Sequence, residues 1–466
     1  VLLWSIFRSL LRLRSGVVRP GTSRAGIRGK GIQFVKRAAR LVDGLGQFAH
    51  HGIPGGLQLA HYFASGAQEI GQAFGAHDNQ RDDKDQYYFR NAQIRLPETN
   101  RGRVPVRIAP VYNQTSSPVG VSTMVKTAIV TDRRYLKHFA GRTHPERPER
   151  VRVMIEMAES LDRAGLEFCP PREATLEEIA LCHDREYIAL VEKTSHVDRY
   201  DFDADTHTSR DTYGAALLAA GGALTAVEAV FEGGADNAFA IVRPPGHHAL
   251  PNRAMGFCFF NNVAIAASWL LKKGLTRVMV VDWDLHHGNG TQDIFYKSKN
   301  LLYVSTHQYP HYPGTGSLYD MGAGEGIGYT VNAPMPAGFG DPEYLRVFDE
   351  LILPIGRAFK PEFILVSAGF DCHFRDPLGA MEVTETGFEQ MARRVRRLAA
   401  ETCEGKVVAV LEGGYDLEAL ANSGRAVLEE FGREADEPFQ NPPGGERVMP
   451  IIERALQSVG KYWGLA

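Results

Sequence analysis

The five cysteines of this 466-residue chain, Cys169, Cys182, Cys258, Cys372 and Cys403, form no CxxC pair and follow no regular spacing. That argues against a disulfide scaffold and a cysteine-based zinc site, and for a reducing, cytoplasmic setting. No continuous run of about 18 apolar residues occurs, so no membrane-spanning helix is expected. Acidic residues are missing from residues 1–42, which hold ten Lys or Arg. The rest of the chain carries 42 basic and 55 acidic groups, a net charge of −13. A mildly acidic body is a poor match for a protein that grips nucleic acid through a broad basic face.

The first 123 residues read differently from the rest. The opening stretch, "VLLWSIFRSLLRLRSGVVRPGTSRAGIRGK", is rich in Arg and free of acids. That suits a transit peptide, and it equally suits translation from upstream of the true start. Residues 43–123 show no strong strand or helix period, and "NQTSSPVGVSTM" reads as linker. The texture changes at Met124, where "MVKTAIVTD" begins with a strand-like run. The expectation is therefore an N-terminal extension over 1–123, disordered, targeting or mis-started, and a single catalytic domain over 124–466. If residues 1–42 are a working transit peptide, the location becomes organellar.

From Met124 onward, short apolar runs alternate with helical stretches. The strand candidates are residues 127–131, 238–242, 277–284, 301–306, 329–334, 363–369 and 407–414. Several are apolar on both faces, as in a buried parallel sheet. Segments such as "PERVRVMIEMAESLDRAG" and "TGFEQMARRVRRLAAETCEG" lie between them, which predicts α/β architecture with helices on both faces. Polar residues crowd the ends of these runs: "RPPGHH" follows "AFAIV", "DWDLHHGNG" ends "VMVV", "GFDCH" follows "ILVSA", and "EGGYD" follows "VVAVL". In open α/β sheets the carboxyl ends of the strands carry the ligand site.

In "DWDLHHGNG", Asp284 and His286 are two apart, so on a strand they would share a face and offer one oxygen and one nitrogen to a cation. Asp371 in "SAGFD" supplies a third ligand. Two carboxylates and one imidazole leave room for water, which is the pattern of a catalytic zinc site. The competing reading is a buried Asp capping a turn. Metal-assisted hydrolysis needs a base and an acid, and His247 and His248 fit that need. Alone, such a pair reads as turn or packing histidines. Asp282 and Asn289 are the available partners for their second nitrogens. Tyr415 in "EGGYD" can stabilise an oxyanion, although a single Tyr is more often a core or rim residue. Phe257 and Tyr312 sit beside glycines and would wall an apolar channel or simply pack in the core.

Taken together, "RPPGHHA", "GFCFFNN", "DWDLHHGNGTQ", "PGTG", "SAGFD" and "LEGGYD" resemble, in order, the motifs of the zinc-dependent histone deacetylases and the bacterial acetylpolyamine amidohydrolases. The resemblance runs from about Thr127 to the C-terminus, with "HPERPER" near its start. It implies one arginase-like α/β domain with a central eight-stranded parallel sheet flanked by helices. It implies a zinc-dependent amidohydrolase that cleaves acetyl-lysine in peptides or proteins, or acetylpolyamines. It implies zinc on Asp284, His286 and Asp371. His247 and His248 become the catalytic pair, with His248 as base and acid, Asp282 supporting His247 and Asn289 supporting His248. Tyr415 would polarise the acetyl carbonyl. Gly256, through its carbonyl, Phe257 and Tyr312 would bind substrate. A structural potassium ion would use Asp282, Asp284, His286, Ser305 and Thr306. "RPPG" and Asn289 resemble class II, and Tyr312 stands where the family commonly has Phe.

Two other functions fit parts of the pattern: a non-catalytic acyl-lysine binding module, and a binuclear, arginase-like ureohydrolase. Iron(II) in place of zinc suits the same O,N,O ligand set. Neither membrane nor nucleic-acid binding is expected, and a homo-oligomer is open.

Overall fold

The computed structural model describes residues 124–434 and 437–465. The expectations for residues 1–123 lie outside the described residues. Eight strands form one parallel sheet in the order β2-β1-β5-β10-β9-β6-β7-β8. They are β1 (Thr127–Val130), β2 (Leu166–Cys169), β5 (Asn237–Ala240), β6 (Val278–Asp282), β7 (Leu301–Gln308), β8 (Thr330–Met335), β9 (Phe363–Ala368) and β10 (Val407–Leu411). A two-stranded antiparallel ribbon, β3 (Tyr200–Asp201) and β4 (His207–Thr208), stands apart. The eight parallel strands agree with the family fold.

The seven apolar runs are all strands. The eighth, β2, was missed because "LEFC" is an edge strand with its middle residues exposed, so it lacks the buried pattern that marks the others. The helices Asn262–Lys272, Leu417–Phe431 and Arg185–Lys193 add to the segments read from sequence.

The chain moves from β5 through helix Asn262–Lys272 to β6, and from β9 through helix Glu385–Thr402 back to β10. These two crossovers run in opposite directions across the sheet. Right-handed connections therefore put their helices on opposite faces. Helix Thr212–Phe231 packs on β1, β5 and β10. It is long and apolar enough to cross a membrane by length and composition, which a scan for unbroken apolar runs overlooks because Gly, Thr and Glu interrupt it. Most of it is buried against the sheet, as expected of a core helix.

Strand order decides the site. β5, β10, β9 and β6 are consecutive neighbours, though far apart in sequence. Their carboxyl ends carry "RPPGHH", "EGGYD", "GFDCH" and "DWDLHH", so the four loops stand side by side. β7, next to β6, ends in "HQYPHYPGTG".

Candidate active site

β6 stops at Asp282, and Asp284 and His286 lie in the bend that follows. Strand alternation is therefore not what brings them together. Each carboxylate in the bend instead accepts a main-chain N–H two residues on: Asp282 Oδ1 from Asp284 N (3.2 Å), and Asp284 Oδ1 from His286 N (2.8 Å). Such local Asp-to-backbone bonds turn the chain tightly. Asp371 arrives from the end of β9, and its Oδ1 accepts Leu285 N at 2.8 Å.

The result is a tight trio. One ligand atom each from Asp284, His286 and Asp371 lies within 4.8 Å of the others, and all three residues are buried. His286 Nδ1 is 3.2 Å from Asp284 Oδ1 and 3.0 Å from Asp371 Oδ2. The backbone is kept clear to allow this convergence. A Cβ on Gly413 would collide with carboxylate oxygens of both Asp371 and Asp284, and a Cβ on Gly369 with Asp284. Burial disfavours a charged His286, yet hydrogen bonds and charge from Asp284 and Asp371 outweigh it and raise the imidazole to about 10. Burial and the Asp284 charge push the Asp371 carboxyl up, so a cation placed between the two carboxylates would relieve their repulsion. The O,N,O donor set fits a divalent metal with an open position.

The two histidines of "RPPGHH" lie in a turn beyond β5, not on a strand, and both rings reach the same place, with centroids 4.1 Å apart. His247 Nδ1 meets Asp282 Oδ2 at 3.1 Å, and its Nε2 is 3.7 Å from Asp284 Oδ1. Tyr303 donates to the same Asp282 oxygen at 2.9 Å. His248 Nδ1 donates to Asn289 Oδ1 at 2.8 Å. Burial works against charge on both rings. The carboxylates of Asp284 and Asp282 overcome it for His247, which is raised to about 10. His248 has a neutral amide as partner and protonatable His247 and His286 as neighbours, so it is held well below the usual histidine range.

Tyr415 follows Gly413 and Gly414 at the end of β10. Gly413 N donates to Asp284 Oδ2 at 2.8 Å. The Tyr415 ring stands edge-on to Phe257 at 5.9 Å and under the Arg150 guanidinium at 4.7 Å. Its hydroxyl makes no hydrogen bond with any described residue. Burial lifts its pKa well above the ordinary value, so it stays a donor.

Phe257 has a positive φ of 68°, and its N–H is anchored on Thr206 Oγ1 at 3.2 Å. Gly256 before it (φ 57°) must be glycine, because a Cβ would enter the His248 ring. The Gly256 carbonyl accepts the Cys258 thiol at 3.2 Å. Tyr312 stands edge-on to His248 (5.2 Å) and His286 (6.0 Å), with 37% of its surface exposed, which places it at the mouth rather than in the core. Ser305 lies opposite Asp282 in the sheet register and pairs with His307 Nδ1 at 2.9 Å, while Thr306 Oγ1 donates to the Asp282 carbonyl at 3.5 Å.

Several buried groups behind the site were not singled out from sequence. Glu146 of "HPERPER" holds Arg243 of "RPPG" at 2.6 and 2.8 Å and Arg150 at 3.1 Å. Burial alone would raise the Glu146 carboxyl, but Arg243, His138 and Arg150 hold it far down. Arg150 also donates to the carbonyls of Glu412 and Gly414. Glu412 Oε2 accepts Gly246 N (2.6 Å) and His247 N (3.1 Å). Three motifs are thus tied into one frame. The only sequence signal was an uncommon density of Arg and Glu beside prolines in "HPERPER" and "RPPG". All five cysteines are free.

A profile of the histone deacetylase domain matches residues 144–431. The chain is 45% identical over 295 residues to a probable deacetylase of Archaeoglobus fulgidus, spanning 63% of this chain and 82% of that protein. It is 41% identical over 355 residues to Histone deacetylase 15 of Arabidopsis thaliana, spanning 72% of this chain and 63% of that protein. The crystal structure of an HDA15 HD domain superposes with a TM-score of 0.68 at 36% identity, covering 73% of this chain and 97% of that domain. With the profile spanning more than half of the chain and every motif of the four central loops inside it, this chain belongs to the histone deacetylase family and is a deacetylase-type hydrolase.

Proposed function

We propose that the protein hydrolyses the acyl amide of acetylated lysine side chains or acetylated polyamines, giving acetate and a free amine. The catalytic domain in this reading runs from Met124 to the C-terminus. One observation carries it: a buried Asp–His–Asp trio and a histidine pair with unequal partners meet at the ends of neighbouring strands, with Tyr415, whose hydroxyl has no hydrogen bond among the described residues, on the loop between them. Asp284, His286 and Asp371 would hold zinc, and iron(II) suits the same donors. When bound, the metal supplies Lewis acidity to the acyl carbonyl and to water.

The remaining work belongs to the chain's own side chains. Asn289 fixes the His248 proton on Nδ1, which leaves the Nε2 lone pair free to take a proton from the attacking water. As the water oxygen bonds the acyl carbon, the carbonyl oxygen gains charge, and the Tyr415 hydroxyl donates to it. His247, hydrogen-bonded to the Asp282 carboxylate, is the ring of the pair whose charged form is favoured. His248 then hands its proton to the amine nitrogen, the C–N bond breaks, and acetate leaves. Phe257 and Tyr312 flank the linear chain of the substrate, and the Gly256 carbonyl accepts its amide N–H. We assign a structural potassium ion to Asp282, Asp284, His286, Ser305 and Thr306.

A turnover panel tests this reading: an acetyl-lysine peptide, acetylputrescine, acetylspermidine and longer acyl-lysine peptides, each assayed for acid and amine. The expected result is hydrolysis of at least one acetylated amine, abolished by chelator. Tight binding of acyl-lysine without turnover by zinc-loaded protein would instead make it a binding module. Urea release from a guanidinium substrate would make it a ureohydrolase.

A further inference from the structure

The Tyr415 hydroxyl has no hydrogen bond among the described residues, so the main chain that carries it must set its place; Gly413 is held by Asp284 and Phe370, and the Gly414 carbonyl by Arg150. Gly414 sits at φ 117°, a conformation open mainly to glycine. Something outside the loop must fix the phenol where charge develops. Arg150 meets the ring and the preceding carbonyl, and the side chain that holds the main-chain N–H of Tyr415 itself is Asp376, five residues beyond Asp371 on the loop after β9 and buried, with 7% of its surface exposed. Asp376 Oδ2 accepts the main-chain N–H of Tyr415 at 2.6 Å and that of Asp416 at 3.3 Å. Its Oδ1 accepts Leu378 N at 2.9 Å, and its own N–H donates to the His373 carbonyl at 2.9 Å. The carboxylate is therefore itself fixed and cannot follow the tyrosine. The neighbouring Arg375 clamps the far side of the same loop, reaching Asp416 at 3.3 Å and Glu418 at 2.8 Å.

We propose that Asp376 is a positioning residue for the deacetylation step: it sets the height of Tyr415 over the reacting carbonyl through the Tyr415 main-chain N–H. This rests on the reading of Tyr415 as the oxyanion donor. Asp376 makes no hydrogen bond with Asp284, His286 or Asp371, although its charge and that of Asp371 repel. If it acts by positioning Tyr415, its effect should be largest where Tyr415 is needed. A displacement of about 1 Å in a catalytic group is enough to cost about 10²-fold in rate.

The test uses the zinc-loaded full chain, with acetyl-lysine and trifluoroacetyl-lysine versions of one peptide. Fluorine withdraws electrons from the carbonyl, so the trifluoroacetyl amide reaches its tetrahedral adduct with less help from a hydrogen-bond donor. Asp376→Ala removes every acceptor, and Asp376→Asn keeps the shape with a single oxygen. The expected result for Asp376→Ala is a fall in kcat of about 30- to 100-fold on the acetyl peptide, with KM changed less than about threefold. On the trifluoroacetyl peptide the fall should stay below about fivefold, and Asp376→Asn should lie between Asp376→Ala and the native enzyme. Added to Tyr415→Phe, Asp376→Ala should cost no more than about a further twofold. Equal losses on both peptides, full additivity with Tyr415→Phe, or native turnover would each overturn the proposal. If Tyr415→Phe alone runs at the native rate, the oxyanion reading fails first. If Tyr415→Phe is slow and Asp376→Ala is not, only the Asp376 proposal fails. If neither Asp376 variant folds, Asp376 is a prop for the whole domain and the proposal falls.

Discussion

His248→Ala should lower kcat on an acetyl-lysine peptide by about 10³-fold, within the range of about 10² to 10⁴ that general acid–base catalysis contributes. The reason lies in the unequal partners of the two rings. His247 is hydrogen-bonded to the buried Asp282 carboxylate, which favours the charged ring. It is a poor base. His248 donates Nδ1–H to a neutral amide, and its Nε2 has no partner among the described residues. A neutral imidazole with a free lone pair is what the water proton needs. Steady-state kinetics on zinc-loaded protein, with metal content checked, would measure the effect. A loss smaller than about tenfold would place the base elsewhere.

The second large effect belongs to Tyr415→Phe, for which kcat should fall by about 10² to 10³-fold with little change in KM, the usual cost of losing one oxyanion donor. The variant is a clean probe. The hydroxyl bonds to no described residue, so removing it breaks nothing in the free enzyme. The ring's contacts with Phe257 and Arg150 remain available to phenylalanine. Thermal stability should therefore stay close to native while turnover collapses. A rise in KM with kcat intact would mean that Tyr415 binds substrate rather than the transition state.

Much of this was legible in the sequence because the chemistry is concentrated in short motifs at the ends of strongly apolar strands. Asp284, His286, Asp371, the histidine pair and Tyr415 could be singled out by residue type and position after a strand. The reason given for the Asp284–His286 pairing was wrong in its geometry. Both follow β6 and are joined by a turn that Asp side chains hold, and a period-two pattern cannot distinguish the two cases over three residues. Glu146, Arg150, Arg243, Glu412 and Asp376 stayed invisible for a different reason. Each acts by bonding main-chain or charged groups 39 to 264 residues away. Their meaning depends on β10 entering between β5 and β9, and nothing local in "VVAVL" says where it will insert. The edge strand β2 escaped because an exposed strand carries no apolar run to find.

The central claim is that one metal ion on Asp284, His286 and Asp371 serves the hydrolysis of an acylated amine. The most direct measurement strips the protein with chelator, then titrates zinc back while recording bound metal and acetyl-lysine turnover together. The account predicts that activity is lost on stripping, returns in step with the first equivalent of zinc, and fails to return in Asp284→Ala. Turnover by metal-free protein, or a need for two equivalents per chain, would contradict it.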